Sequence, residues 1–302
     1  MRLSKLFKQI GISCECKNEK DFLSLGLTEY NDGKAVCTFV TEEKYLQHIS
    51  DEVSMIITTT EIANSSAIKQ KNFGVCVVEN PKIAFFKLHN YLTNDPKYVR
   101  DERNTIVGEN CNISPLAMIS KKNVVIGNNV VIEEFCSIKE NTIIGDNCII
   151  RAGSVIGMEG FEFKEDGDGI FRVHHVGGVQ IGHDVEIQGN TCVDKAIYPW
   201  DNTLIGDYAK IDNLVHIAHG VKIGRAVMII ANSAIGGRTV IGEKAWIGIG
   251  AQIRNGMSIG TNARANMGAV VTKNVADNES VTGNFAIEHG NFIKNMKENI
   301  SR

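Results

Sequence analysis

Between residues 205 and 259 an isoleucine recurs at every sixth position: Ile205, Ile211, Ile217, Ile223, Ile229, Ile235, Ile241, Ile247, Ile253 and Ile259. The fourth residue after each is mostly small or slender: Ala209, Val215, Val221, Val227, Ser233, Thr239, Ala245, Ala251, Met257 and Ala263. A period of six is neither the 3.6 of a helix nor the 2 of a strand. It is the internal repeat of a solenoid. Each unit predicts one short flat strand and one corner. Three units close one triangular coil with the isoleucine inside. The fold class this predicts is mainly β: a left-handed parallel β-helix of hexapeptide repeats, with a small N-terminal α/β domain and a short C-terminal helix.

Upstream, the hexads start near Val107, continue at Ile113 and Ile119, slip by one residue, and lock on Ile126, Ile132, Ile138, Ile144, Ile150 and Ile156. The period is lost across 157–180, a glycine-rich acidic stretch that reads as a projecting arm ordering on a ligand. From Ile181 the phase holds through Ile187, Val193 and Pro199 into the long run, giving roughly nine coils. Residues 1–100 have no six-fold period. There Lys20–Leu27 is amphipathic and reads as helical. Ala35–Val40, Val53–Thr59 and Phe73–Val78 read as strands, and Ile83–Leu92 as a helix after the Asn80-Pro81 turn. The domains are therefore 1–100, the coil 101–276 and a helical tail 277–302.

A solid apolar prism has no interior room for a ligand, so chemistry must sit on its outside. Flat outer faces and a triangular section favour a homotrimer. Net charge is −3 with dispersed basic residues, so no nucleic-acid partner is expected. No apolar run reaches membrane-spanning length, and MRLSKLFKQIG lacks a signal-peptide core, so a cytoplasmic protein is expected. Cys136 and Cys148 occupy small-residue hexad positions and read as core. Cys14 and Cys16 form a lone CxC, short of the four ligands zinc wants, so no metal is expected there. His183, His216 and His219 lack the spacing of a three-histidine zinc site on such a prism.

His219 stands two residues after inward Ile217 and so points out, an imidazole able to take a proton near neutral pH. One coil on lies Gly237, whose N–H could face the same groove. A base beside a backbone donor suits acyl transfer. The same spacing also fits His216 and His219 as solvated corner residues. His48, His89 and His289 read as surface, and His174-His175 lie in the arm.

Three stretches then bear a resemblance. Asp32-Gly33-Lys34-Ala35 to Thr38-Phe39, with Lys44-Tyr45 and Asn80-Pro81-Lys82-Ile83, is one; Ile181-Gly182-His183 to Val193-Asp194-Lys195 is another; Ile211-Asp212-Asn213 to Ile217-Ala218-His219 is the most specific. Together with Gly160-Phe161 in the arm, the chain resembles the UDP-3-O-acylglucosamine N-acyltransferases of lipid A biosynthesis. The resemblance implies His219 as general base, Gly237 as oxyanion donor, Asp212 as a supporting carboxylate, and Phe39 and Tyr45 as rings stacking on uracil. It also implies a homotrimer with intersubunit sites, and an acyl-ACP or acyl-CoA thioester as donor without further cofactor. Glu42 stands where the family has a uracil-reading Asn, which predicts weaker uridine selectivity, and Gly256 stands where it has a second histidine. His216 completes the expected substrate contacts. The function expected is N-acylation of a nucleotide-linked amino sugar. An acyl-CoA-dependent enzyme for a surface-polysaccharide amino sugar and a non-catalytic scaffold prism are the other readings.

Overall fold

The computed structural model describes residues 1–29, 34–69, 72–167, 169–283 and 286–300. Asp32, Gly33 and the side chain of His48 lie outside the described residues.

The N-terminal part is a five-stranded sheet between two helical layers. Its elements are α1 (Leu3–Gln9), β1 (Glu15–Lys17), β2 (Ser24–Leu25), β3 (Val36–Val40), β4 (Val53–Thr58), α2 (Thr60–Ala63), α3 (Ser66–Lys69), β5 (Gly74–Val77) and α4 (Pro81–Leu92). The strand order is β1-β5-β4-β3-β2, with β1 antiparallel to β5 and the other pairs parallel. The runs Ala35–Val40, Val53–Thr59 and Phe73–Val78 supply the three central strands. The Asn80 side chain accepts the N–H of Ile83 and Pro81 occupies the first turn, so α4 starts where the turn signal placed it. Lys20–Leu27 is not a helix. Phe22 and Leu25 are buried from an irregular segment that holds only the short β2.

The rest of the chain to Gly283 is a parallel β-helix whose three walls contain, among the described residues, nine, eight and eight strands. Ile229 pairs with Ile211 below and Ile247 above, Ile235 with Ile217 and Ile253, and Ile241 with Ile223 and Ile259. All ten isoleucines are at most 4% exposed, each side chain contributing about 1.5–3 kcal/mol by leaving water. The corner residue three places after the isoleucine is often left-handed without being glycine, with φ between 54° and 62° at Tyr208, Leu214, Ala226, Asn232, Arg238 and Lys244. Such a conformation costs a non-glycine residue about 1–2 kcal/mol, which burial of the adjacent isoleucine offsets. The one-residue slip is real. Val107 pairs with Ile126 and Ile113 with Ile132, each one position beyond a whole coil, before the regular three-hexad spacing sets in.

Two segments leave the same corner of successive coils. The first follows the strand Val155–Met158 and returns at Gly178–Ile181. It does not project. It forms a hairpin, Phe163–Asp166 against Gly169–Arg172, folded back on α4. There Asn90 bonds Arg172 O at 2.7 Å and His174 N at 2.9 Å. The second follows Cys192–Asp194 and returns at Asn202–Ile205. Pro199 therefore is not an inward hexad residue. Ile181 pairs directly with Ile205, with four hexads between them rather than three, because one repeat length is looped out. An insertion of that length leaves the phase unchanged, so the sequence period passes straight through it.

The looped residues join coil to domain. Tyr198 is 1% exposed and stacks on Trp200, with ring centroids 5.4 Å apart. Trp200 donates to Leu25 O at 2.7 Å, and Arg100 holds Pro199 O and Asp201 O, each at 2.7 Å. Val173, Ile197 and Tyr198 share one core with α1 and α4. His89 belongs to this core and is not a surface residue. Its Nε2 donates to His174 O at 2.8 Å and its Nδ1 accepts from the Tyr98 hydroxyl at 2.9 Å. At the far end the coil runs past Asp277: Ser280–Val281 pairs with Arg264–Ala265, and helix α5 spans His289–Ile300. Among the described residues no helix is long and apolar enough to cross a membrane.

Burial lowers the His89 pKa from 6.5 to about 4. The folded state therefore excludes a proton that the unfolded chain takes up. Its stability contribution is full above pH 6.5 and is lost as pH falls towards 4. We expect urea-unfolding free energy to drop by up to about 3 kcal/mol over that window, and His89→Gln to flatten the drop. An unchanged slope in the variant would contradict the assignment.

Candidate active site

His219 sits at the same corner, one coil beyond the second loop, and Gly237 lies one coil further. The imidazole lies flat on the Gly237 backbone. A Cβ built on Gly237 would fall 2.8 Å from both Cε1 and Nε2 of His219, so any side chain there displaces the ring. The ring points away from the coil core as expected, yet its side chain is only 13% exposed. The folded-back hairpin covers it.

That cover brings residues the sequence reading did not single out. Glu162 Oε2 approaches His219 Nε2 at 3.4 Å, and Glu162 also pairs with Lys164. His175 stands edge-on to His219, with centroids 5.4 Å apart and an interplanar angle of 71°. Gly160 threads between them. A Cβ there would meet Asp194 Oδ2 at 3.0 Å, His175 Nε2 at 3.1 Å and His219 Cδ2 at 3.2 Å. Burial lowers the pKa of His175 to about 4, so it stays neutral near pH 7. Burial pushes Glu162 up, but the contacts with His219 and Lys164 outweigh it and bring the carboxyl down to about 2. A signal for this was present in Phe161-Glu162-Phe163-Lys164. The alternation is inverted: Phe161 is 89% exposed, whereas the Glu162 and Lys164 side chains are 20% and 13% exposed. Charges turned inward from a strand mark a working site more often than a packing surface.

The His219–Gly237 cavity, about 210 Å³, also touches Phe39, Lys82, Arg238 and Asn255. Phe39, Lys82 and Arg238 reach a second cavity of about 510 Å³ as well, where Glu42 and Tyr45 lie. The two form one groove. Phe39 leans on Phe85 at 4.9 Å and keeps an open side to the groove; Tyr45 is 43% exposed. Glu42 is not an isolated carboxylate, because Lys44 Nζ holds it at 2.6 Å and lies 5.0 Å over the Tyr45 ring.

Two expected residues, Asp212 and His216, do not line the His219–Gly237 cavity. Asp212 lines a separate groove with Met228 and Trp246. Its carboxylate accepts the N–H groups of Asn213 and Ala231, so the carboxylate beside His219 is Glu162 instead. His216 points outward and pairs with Asp194, Nε2 to Oδ2, at 3.0 Å. Gly256 is a coil corner with φ 71°, in the same column as Arg238.

The family model for bacterial transferase hexapeptide (six repeats) matches residues 123–157. UDP-3-O-acylglucosamine N-acyltransferase 2 of Legionella pneumophila is 41% identical over 121 residues, covering 40% of this chain and 29% of that protein. UDP-3-O-acylglucosamine N-acyltransferase of Bordetella avium is 38% identical over 149 residues, covering 48% of this chain and 41% of that protein. The chain is similar to these acyltransferases over less than half of its own length. It spans less than half the length of these curated relatives. The solved UDP-N-acetylglucosamine acyltransferase from Campylobacter jejuni is similar in fold, with a TM-score of 0.54 at 24% identity over 60% of this chain and 68% of that one.

The His216–Asp194 contact raises the His216 pKa above 6.5, against partial burial that lowers it. Its contribution is present below pH 6.5 and fades as pH rises through the folded value. In an NMR titration, Asp194→Asn should bring the His216 midpoint back down. An unmoved midpoint would break the pair.

Proposed function

We propose that this protein is an N-acyltransferase that moves an acyl group from a thioester to the amine of a UDP-linked amino sugar. The observation that carries the reading is the single groove running from Tyr45 past Lys82 and Arg238 to His219 and Gly237. The base stacks between Phe39 and Tyr45. The diphosphate lies against the Lys82 ammonium and the Arg238 guanidinium, whose fork suits phosphate oxygens. The sugar amine then reaches His219.

The amine lone pair attacks the thioester carbonyl, a C–N bond forms, and His219 takes the amine proton. The Gly237 N–H donates to the oxyanion of the tetrahedral adduct. As the adduct collapses the C–S bond breaks, and the protonated imidazole returns its proton to the departing thiolate. Glu162 supports the imidazolium, the role expected of Asp212. Either acyl carrier protein or CoA supplies the same thioester chemistry. With Lys44 neutralising Glu42, weak uridine selectivity no longer follows from the carboxylate charge alone. A non-catalytic scaffold would have no use for a Glu162–Lys164 pair turned towards an imidazole. We assign the enzyme to the cytoplasm and to a homotrimer.

Two variants separate the halves of the groove. His219→Ala should lower kcat by about 10²–10⁴-fold with KM for the nucleotide sugar nearly kept. Tyr45→Ala should raise that KM roughly 10-fold with kcat nearly kept. Steady-state kinetics with a UDP-amino sugar and an acyl thioester checks both, and near-normal turnover by His219→Ala would overturn the base. Light scattering should report three times the chain mass; an active monomer would rule out the trimer.

A further inference from the structure

The strand β1 meets β5 with Cys16 directly opposite Cys76, their sulfurs 2.7 Å apart. Cys14, two residues before Cys16, falls on the same side. The three sulfurs lie within 4.8 Å of one another. Cys76 is fully buried, whereas Cys14 and Cys16 are half-buried and reachable from solvent. The trio edges the core that α1 and α4 share. The nearby Lys17 ammonium is held by Glu15 at 3.2 Å. The CxC motif offers two ligands, Cys14 and Cys16. The fold adds the third from 60 residues downstream of Cys16.

Thiolates are soft donors that select d10 cations. With metal–sulfur bonds of about 2.3 Å, tetrahedral geometry sets sulfurs about 3.8 Å apart, within reach of this trio once Cys16 and Cys76 separate by about 1 Å. The half-buried side leaves a fourth position open to water.

We propose that Cys14, Cys16 and Cys76 form a three-thiolate site for a soft d10 cation of the zinc class, pinning the edge strand β1 to β5. Binding forms three metal–sulfur bonds and releases up to three protons, with no change of oxidation state. The site is independent of the acyltransferase reading.

The test uses the full chain, reduced with a phosphine and stripped with a chelator, then titrated anaerobically with Cd²⁺ and separately with Zn²⁺. A sulfur-to-cadmium charge-transfer band should saturate at one equivalent per chain, and Zn²⁺ should raise Tm. Cys16→Ser and Cys14→Ser should each weaken binding by about 10²-fold or more, and Cys111→Ser on the coil should leave it unchanged. These two half-buried positions are chosen because Cys76→Ser risks the fold, and Cys14→Ser alone carries the test if Cys16→Ser unfolds. No band at one equivalent, a band kept in both variants, or equal loss in Cys111→Ser would overturn the site. So would a Cys16–Cys76 disulfide that persists under the reductant.

Discussion

An isoleucine every sixth residue must find the isoleucine one coil above and one coil below, and all other features hang on that stacking. The interior is one side chain wide, so neither its volume nor its phase can drift. The left-handed corners are the consequence. Tyr208, Leu214, Arg238 and Lys244 hold a backbone conformation that L-residues avoid because each is flanked by a buried isoleucine that no other path of the chain would bury. A rigid prism of this kind has no hinge to close on a substrate. Its reactive groups must be brought to fixed places on the outside.

Excursions from one corner do this. The hairpin after Met158 and the loop around Tyr198 leave adjacent coils, and His219 and Gly237 occupy the next two levels of the same corner. The hairpin lies back over His219 and delivers Glu162, Lys164 and His175. Bringing Glu162 and Lys164 together out of water is costly for each ion, but each satisfies the other, and His219 and the Phe86 ring take the remaining contacts. The loop carries Tyr198 and Trp200 into the N-terminal core. Arm, loop and domain thus form one packed body beside the imidazole.

The coil was legible because its signal is a strict period, and even the slip near Ile119 could be read. The strands Val36–Val40, Val53–Thr58 and Gly74–Val77 were legible because they are central and apolar. Lys20–Leu27 misled because Phe22 and Leu25 are buried by tertiary packing, which an amphipathic pattern cannot distinguish from a helix. His219 and Gly237 could be paired by counting three hexads along the chain. Glu162, His175 and Asp194 could not, since their approach depends on how a non-repeating segment folds back. Asp212 was implied by the resemblance alone, whereas its carboxylate serves the backbone of the next coil. His89 looked like a surface residue of a short helix. Only the arm packing against it makes it a core group with both nitrogens engaged.

The placement of both excursions on consecutive coils gives the prism the character of a ruler. Successive coils advance by one strand spacing, about 4.8 Å, and nothing in between is available to a stacked isoleucine. The N-terminal domain is anchored at the level of the excursions, and His219 stands at the next level. The span between the Tyr45 end of the groove and the imidazole is therefore graduated. It can change by a whole coil or by new side chains, but not by gradual sliding. A chain that moved its loop by one coil would measure a ligand one strand spacing longer or shorter, with every hexad still in phase.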